Sequence, residues 1–89
     1  MVVSRKEWRD WWQWELDCSN SHLLKRMTDR SFNELDLRAM LEIATDFRPD
    51  SQNGRWIIAT THADRKWEVI VEPDSSAKLL VVVTAYPVN

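Results

Sequence analysis

The last third of the chain alternates between apolar and polar side chains, and this alternation constrains the fold more than any other feature. Residues 55–87 read RWIIATTHADRKWEVIVEPDSSAKLLVVVTAYP. The segment is rich in β-branched and aromatic residues, and two short polar segments divide it into three parts. Successive side chains of a β-strand point to opposite faces of a sheet. The pattern therefore predicts three antiparallel strands near residues 55–62, 66–72 and 78–86, with one apolar face.

The register of the last two strands follows from matching their apolar faces. A turn over residues 73–77 places Glu72 opposite Lys78 and brings the apolar residues of both strands together. This pairing predicts a core face made of Trp67, Val69, Val71, Leu79, Val81 and Val83. The other face then collects side chains that can bind an anion or move a proton, namely Lys66, Glu68, Glu72, Thr84 and Tyr86. Such a face is either a solvated surface or an active site.

The N-terminal half has helical spacing of its apolar residues. Helices are predicted over residues 4–17 and 22–30, and over a third segment that ends near residue 44. Capping boxes at residues 4–7 and 31–34 mark the first and third starts, and residues 47–54 form a loop. Helices that precede strands indicate an α+β fold, with N-terminal helices packed on one face of a three- to four-stranded antiparallel sheet. We expect one domain over residues 1–89, with a Trp-rich helix in 1–18, helices in 20–45 and a β-meander in 55–87.

Composition narrows the possible functions. The chain has 89 residues, a net charge of −2 and one cysteine, Cys18. A small acidic domain lacks the overall basic character of proteins that bind nucleic acid through bulk electrostatics. No apolar run approaches the ~18 residues of a transmembrane helix, no signal peptide is evident, and a single cysteine suits a reducing compartment, so a cytoplasmic location is expected. No metal-ligand spacing or cofactor-binding motif is present, so neither a metal nor a cofactor is predicted.

The second predicted helix carries a possible phosphate site. His22, Arg26 and Arg30 are spaced at i, i+4 and i+8, which places them on one stripe of a helix. Two guanidinium groups can bind a phosphate, and a histidine can transfer a proton near neutral pH. A solvated helix face accounts for the same spacing.

Two further positions on the strands could serve the same chemistry. His62 and Lys66 flank a short turn, where the histidine could act as a general acid or base and the lysine could neutralise a phosphate. Thr84 and Tyr86 could orient a phosphate or stack on a base. An ordinary polar hairpin and the β-propensity of threonine and tyrosine are the competing explanations.

Four of the six tryptophans lie close together near the N-terminus. Trp8, Trp11 and Trp12 share one face of the predicted first helix, and Trp14 lies on its flank. Core packing would explain them. An exposed aromatic patch that contacts a partner protein or a second copy of the chain is the alternative, and base stacking is a third.

The helix motif also resembles that of a known group of proteins. His22, Arg26, Met27 and Arg30 form an H-x-x-x-R-M-x-x-R pattern, followed by Asp36-Leu37, Met40-Leu41 and the strand segments WEVIVEP and VVVTAYP. Over roughly residues 20–89 the chain resembles small bacterial toxin-like domains of the barnase–EndoU–colicin–RelE group of ribonucleases. The resemblance implies a metal-independent endoribonuclease that is restrained by an antitoxin or immunity protein.

In such an enzyme the RNA 2′-hydroxyl attacks the adjacent phosphorus. The residues predicted to move the proton are His22 or His62, and those predicted to stabilise the phosphate charge are Arg26, Arg55 or Lys66. Arg30, Thr84 and Tyr86 would position the substrate. The alternative function is a non-catalytic module that forms a homodimer or binds a partner through Trp8, Trp11, Trp12 and Trp14.

Overall fold

A computed structural model describes residues 14–88 as two helices and a five-stranded sheet. The elements are β1 (Glu15–Asp17), α1 (Ser21–Arg30), α2 (Glu34–Glu42), β2 (Asp46–Pro49), β3 (Trp56–His62), β4 (Arg65–Asp74) and β5 (Leu79–Val88). The strand order is β1-β5-β4-β3-β2, with β1 parallel to β5 and the other pairs antiparallel. The predicted α+β class is confirmed. The predicted three- to four-stranded antiparallel sheet is too small, because two further edge strands make it a five-stranded mixed sheet.

The first described element is a strand, β1, in a segment for which a helix was predicted. Residues 15–17 form β1, which pairs with the start of β5, so the prediction of a helix to residue 17 is wrong at its C-terminal end. Leu16 packs against the core, and the Asp17 carboxylate accepts hydrogen bonds from the Ser19 amide and hydroxyl at 3.0 and 2.6 Å. These bonds turn the chain from β1 toward α1. Residues 4–13 of the predicted helix lie outside the described residues.

Both helices begin at asparagine caps. The Asn20 side chain accepts from the His22 and Leu23 amides at the start of α1. In α2, Asn33 and Asp36 form a reciprocal capping box with two hydrogen bonds of 2.9 Å. The predicted box at residues 31–34 is therefore displaced by two residues, since Ser31 adopts a left-handed φ of 56° and ends α1 instead. The predicted loop 47–54 is likewise wrong at its start, which belongs to β2.

The register between β4 and β5 differs from the predicted one. Glu72 lies opposite Val81 and not opposite Lys78, because both strands continue further into the hairpin. The two registers differ by three residues, which is an odd number. The side chains of β5 that were predicted to face the core therefore face the other side of the sheet, and the reverse. Leu80 and Val82 are buried in the core at 2% and 0% exposure. The predicted core residues Leu79, Val81 and Val83 are only half-buried.

An irregularity farther along the same pair restores part of the predicted arrangement. Val71 pairs with Val82 whereas Ile70 pairs with Thr84, so Val83 is an extra residue in β5. Such a bulge moves the following side chains to the opposite face. Thr84 and Tyr86 consequently lie on the predicted polar face.

The core lies between the two helices and one face of the sheet. Helix α1 packs on β5 and α2 packs on β3. The largest fully buried side chains are Leu23, Leu37, Met40, Ile58, Val69, Val71, Leu80 and Val82. We call the opposite side of the sheet the distal face; it carries Arg48, Lys66, Glu68, Ile70, Glu72, Thr84 and Tyr86. The prediction that the helices cover the face of Trp67, Val69 and Val71 is confirmed.

The β3–β4 hairpin is closed by two non-glycine residues in the left-handed region. Ala63 and Asp64 have φ values of 51° and 63° and lie between the paired residues His62 and Arg65. A two-residue turn of this kind favours Asn-Gly, and a left-handed L-residue costs about 1–2 kcal/mol. The double change Ala63→Asn/Asp64→Gly should raise the free energy of unfolding by about 1 kcal/mol, measured by urea denaturation. Ser76→Gly, at a position without positive φ, should give no such gain, and a destabilised double variant would contradict this account.

Candidate functional site

A glutamate on the distal face has a partner on each of its carboxylate oxygens. The Tyr86 hydroxyl donates to Glu68 Oε1 at 2.7 Å, and Arg48 Nη2 donates to Glu68 Oε2 at 2.8 Å. The Glu68 side chain is 18% exposed, whereas that of Arg48 is 49% exposed. We call these three residues the Glu68 cluster. It places a largely buried anion beside a cation that solvent or a ligand can reach.

Three different strands contribute to the Glu68 cluster. Glu68 faces away from the helices because its neighbours Trp67 and Val69 are both buried in the core. Tyr86 lies directly opposite Glu68 in the β4–β5 ladder. Arg48 comes from the edge strand β2, and Ala59, opposite Glu68 on β3, has a methyl side chain small enough for the arginine to extend past it.

Electrostatics set the protonation states within the cluster. The hydrogen bond from Arg48 is the largest cause of a lowered pKa of Glu68, and the bond from Tyr86 lowers it further, although burial acts in the opposite direction. Burial, followed by the hydrogen bond to Glu68 and its negative charge, raises the pKa of Tyr86 to about 12. Near neutral pH the cluster thus holds a carboxylate, a neutral phenol that donates a hydrogen bond, and a guanidinium.

A second ion pair and an apolar residue extend the site along β4. Arg55 Nε donates to Glu72 Oε2 at 3.1 Å. Ile70 lies between the two glutamates on the same face and is only 7% exposed, with Thr84 opposite it. The distal face therefore carries two arginine–glutamate pairs, one on each side of a buried isoleucine.

Several of the predicted site residues share this face. Lys66 is exposed two residues before Glu68 on β4, which places it on the same side of the sheet. Thr84 and Tyr86 lie there as well, and Arg55 reaches it through its bond to Glu72. The structure brings these four positions onto one surface.

The helical stripe is not part of this surface. Arg26 pairs with Asp29 at 3.1 Å, and Arg30 Nη1 donates to the Ala85 carbonyl at 3.3 Å. Both guanidinium groups therefore have partners within the fold, and His22 is exposed in the first turn of α1. The first turn is also where the Asn20 cap holds the backbone.

His62 lies on the side of the sheet that faces the helices. Its ring meets the buried Trp67 edge-on, with 5.3 Å between the centroids. Tyr86 lies on the distal face. The structure thus separates His62 from Tyr86, and no hydrogen bond, ion pair or ring contact among residues 14–88 joins His62 to His22.

The predicted tryptophan interface is described only at Trp14. Trp14 packs against the core, and Lys78 Nζ lies 5.4 Å from the centre of its ring. These contacts give Trp14 a role in packing β1 onto β5. The other three tryptophans of that prediction, Trp8, Trp11 and Trp12, lie outside the described residues.

Sequence analysis overlooked Arg48 and assigned no role to Glu68. The sequence predicts a loop at Arg48, yet Asp46, Phe47 and Arg48 alternate as polar, apolar and polar, which is the signal of a short strand. Glu68 was correctly assigned to the polar face. Its importance depends on Arg48 and Tyr86, which are 20 and 18 residues away in the sequence.

Searches for a metal centre, a membrane-spanning helix and similar proteins gave the following results. Residues 14–88 contain no group of three or more histidine, cysteine, aspartate or glutamate side chains arranged to hold a metal ion. None of the helices in this part of the chain is long and apolar enough to cross a membrane. Comparisons with protein-family models, curated proteins and solved structures find no significant match.

The only tyrosine of the chain allows a direct test of the cluster's electrostatics. Tyrosinate absorbance reports Tyr86 alone, and its titration midpoint should lie near 12 in the folded protein. Because the raised pKa means that the folded state holds the proton more tightly, its stabilising contribution is complete below pH 10 and is lost as the pH rises toward 12. Glu68→Gln should lower the midpoint, since it removes the negative charge beside the phenol. An unchanged midpoint in Glu68→Gln would contradict the contribution of Glu68 to the raised pKa of Tyr86.

Proposed function

We propose that this chain is a toxin-like, metal-independent endoribonuclease whose reaction centre is the Glu68 cluster together with Lys66. One observation carries the proposal: a carboxylate that Arg48 and Tyr86 keep ionised lies beside a half-exposed guanidinium. In cleavage of RNA through its own 2′-hydroxyl, a carboxylate can accept the hydroxyl proton and a guanidinium can stabilise the charge on the phosphate. The resemblance of the helix motif to the barnase–EndoU–colicin–RelE group supports the same reaction.

The reaction assigns one role to each side chain. The Glu68 carboxylate takes the proton of the 2′-hydroxyl as O2′ forms its bond to phosphorus. Arg48 has donors beyond the one that binds Glu68, and these stabilise the charge on the non-bridging phosphate oxygens. Lys66 gives a proton to O5′ as the P–O5′ bond breaks. Afterwards Lys66 regains a proton from solvent, and Glu68 releases to solvent the proton that it took from the 2′-hydroxyl. The products are a 2′,3′-cyclic phosphate and a 5′-hydroxyl.

Tyr86 positions the general base, Glu68, in this scheme. Its hydroxyl holds Oε1 of Glu68, which leaves Arg48 and the substrate to compete for the other oxygen. Thr84, half-buried two residues before Tyr86 on the same face, offers its hydroxyl to the sugar or to a nucleobase. The histidines receive no step, because His62 lies on the side of the sheet that the helices cover and His22 belongs to α1, which packs on that side.

The proposal includes a restraining partner that would act on the same surface. An antitoxin or immunity protein that presents a carboxylate to Arg48 would compete with the RNA phosphate for the exposed guanidinium. Covering the distal face would then switch the activity off without unfolding the enzyme. The proposed partner is identified only by the acidic side chain that it would present to Arg48.

A non-catalytic interaction module is the second candidate. It is favoured by three large apolar side chains of the helical layer that remain exposed, Leu24 at 50%, Leu35 at 75% and Ile43 at 55%. Single exposed apolar side chains are common on monomers, and side chains of this size can also anchor a contact with a partner or a second copy of the chain. Self-association or partner capture without RNA cleavage would support this alternative.

The proposal is tested by incubating the purified, partner-free chain with single-stranded RNA of mixed sequence in EDTA. We expect cleavage that continues in EDTA and leaves 2′,3′-cyclic phosphate ends, identified by mass spectrometry. A folded chain that leaves the RNA intact contradicts the proposed activity. Cleavage that EDTA abolishes contradicts the proposed mechanism.

A further inference from the structure

The connection between β2 and β3 ends in an exposed turn that contains the only glycine of the chain. The Arg55 amide donates to the Gln52 carbonyl at 3.2 Å, so residues 52–55 form a β-turn with Asn53 and Gly54 at its centre. Gly54 has a φ of 87°, and a Cβ built on it would have no atom within 4 Å. Asn53 and Gly54 are both exposed, and the glycine has no side chain of its own next to its amide nitrogen.

The other two asparagines of residues 14–88 are held in a different way. Asn20 accepts from the His22 amide at 2.8 Å, and Asn33 accepts from the Asp36 amide at 2.9 Å. These bonds fix both side chains as helix caps, and the following residues, serine and glutamate, carry side chains next to the amide nitrogen. No hydrogen bond of the described residues holds the Asn53 side chain.

We propose that Asn53-Gly54 is a site of spontaneous deamidation, selective over the two capping asparagines. The Gly54 amide loses its proton to a base in solution, and its nitrogen attacks Cγ of Asn53. The Gly54 N–Cγ bond forms, the Cγ–Nδ2 bond breaks, and the leaving nitrogen takes up a proton and departs as ammonia. Water then opens the resulting five-membered imide at either carbonyl, which leaves aspartate or isoaspartate at position 53.

The modification changes the charge and the geometry of a loop next to the distal face. A new carboxylate appears two residues before Arg55, whose guanidinium already binds Glu72. In the isoaspartate product the main chain runs through the side-chain carbon, which lengthens the backbone within the turn and disturbs the Gln52–Arg55 hydrogen bond. Deamidation would thus convert the loop to a more acidic form. This inference does not depend on the proposed ribonuclease activity.

The test is to age the full chain in mildly alkaline buffer and to follow each asparagine by peptide mass spectrometry. We expect the amide at Asn53 to be lost roughly tenfold faster than at Asn20 or Asn33, with isoaspartate among the products. Asn53→Gln, which must close a larger ring, and Gly54→Ala, which places a methyl group next to the attacking nitrogen, should both slow the loss at this position. Equal rates at the three asparagines, or no loss at Asn53, would overturn the proposal.

Discussion

Val82→Asp is expected to unfold the domain. Val82 is fully buried, lies opposite the equally buried Val71, and belongs to the layer that the helices cover. An unpaired carboxylate at this position costs several kcal/mol, whether it is buried charged or protonated to avoid the charge. Small domains have only about 5–15 kcal/mol of stability in total. Circular dichroism with thermal and urea denaturation should show little or no cooperative folding.

A matched pair of milder variants keeps this prediction testable if Val82→Asp cannot be purified. Val82→Thr places a hydroxyl in the core and should cost about 1–3 kcal/mol. Val81→Thr makes the same change one residue earlier, on the half-buried distal face, and should cost clearly less. Equal losses, or a greater loss at Val81, would show that the β4–β5 register is not the one described.

Glu68→Gln is expected to abolish most of the proposed RNA cleavage while the protein remains folded. The change keeps the size and shape of the side chain but removes the group that accepts the 2′-hydroxyl proton. Loss of a general base lowers the rate by about 10²–10⁴-fold. The loss should appear in kcat, because Arg48 and Lys66 still provide cations for binding the substrate phosphate. Single-turnover cleavage of a short RNA measures this effect directly.

Glu72→Gln is the matched control for that experiment. Glu72 lies on the same strand and the same face, and it also forms an ion pair with an arginine, at 3.1 Å. It lacks a tyrosine partner, and its side chain is 50% exposed. Cleavage by this variant should stay within a few-fold of wild type. If both variants cleave as fast as wild type, the reaction centre lies away from the Glu68 cluster.

Several parts of the fold could be predicted because the signal is local. The apolar spacing of Leu23 and Met27 indicates α1 without reference to the rest of the chain. The alternation around Trp67 and Val69 likewise predicts the core face of β4. These signals come from residues that are close together in the sequence. The tertiary contacts favour the same elements.

The errors arose where pairing partners decide the outcome. Residues 15–17 are a strand because β5 offers a free edge beside them, which a local pattern does not reveal. The β4–β5 register depends on hairpin length and on the extra residue Val83 in β5, and apolar residues on both faces of β5 allow either choice. The capping box lies two residues later than predicted, because Asn33 and Asp36 can form the same reciprocal hydrogen bonds as Ser31 and Glu34.

The sequence by itself determined the α+β class, the position of α1, and the set of polar residues on β4 that face away from the core. Each follows from helical or strand periodicity over neighbouring residues. Only the tertiary structure decided that Arg48, Glu68 and Tyr86 meet, because their contact requires β2 at one edge of β3, the register of β5, and its bulge. The candidate site is therefore a product of strand pairing, since hydrogen bonds between distant segments bring together side chains that have no common pattern in the sequence.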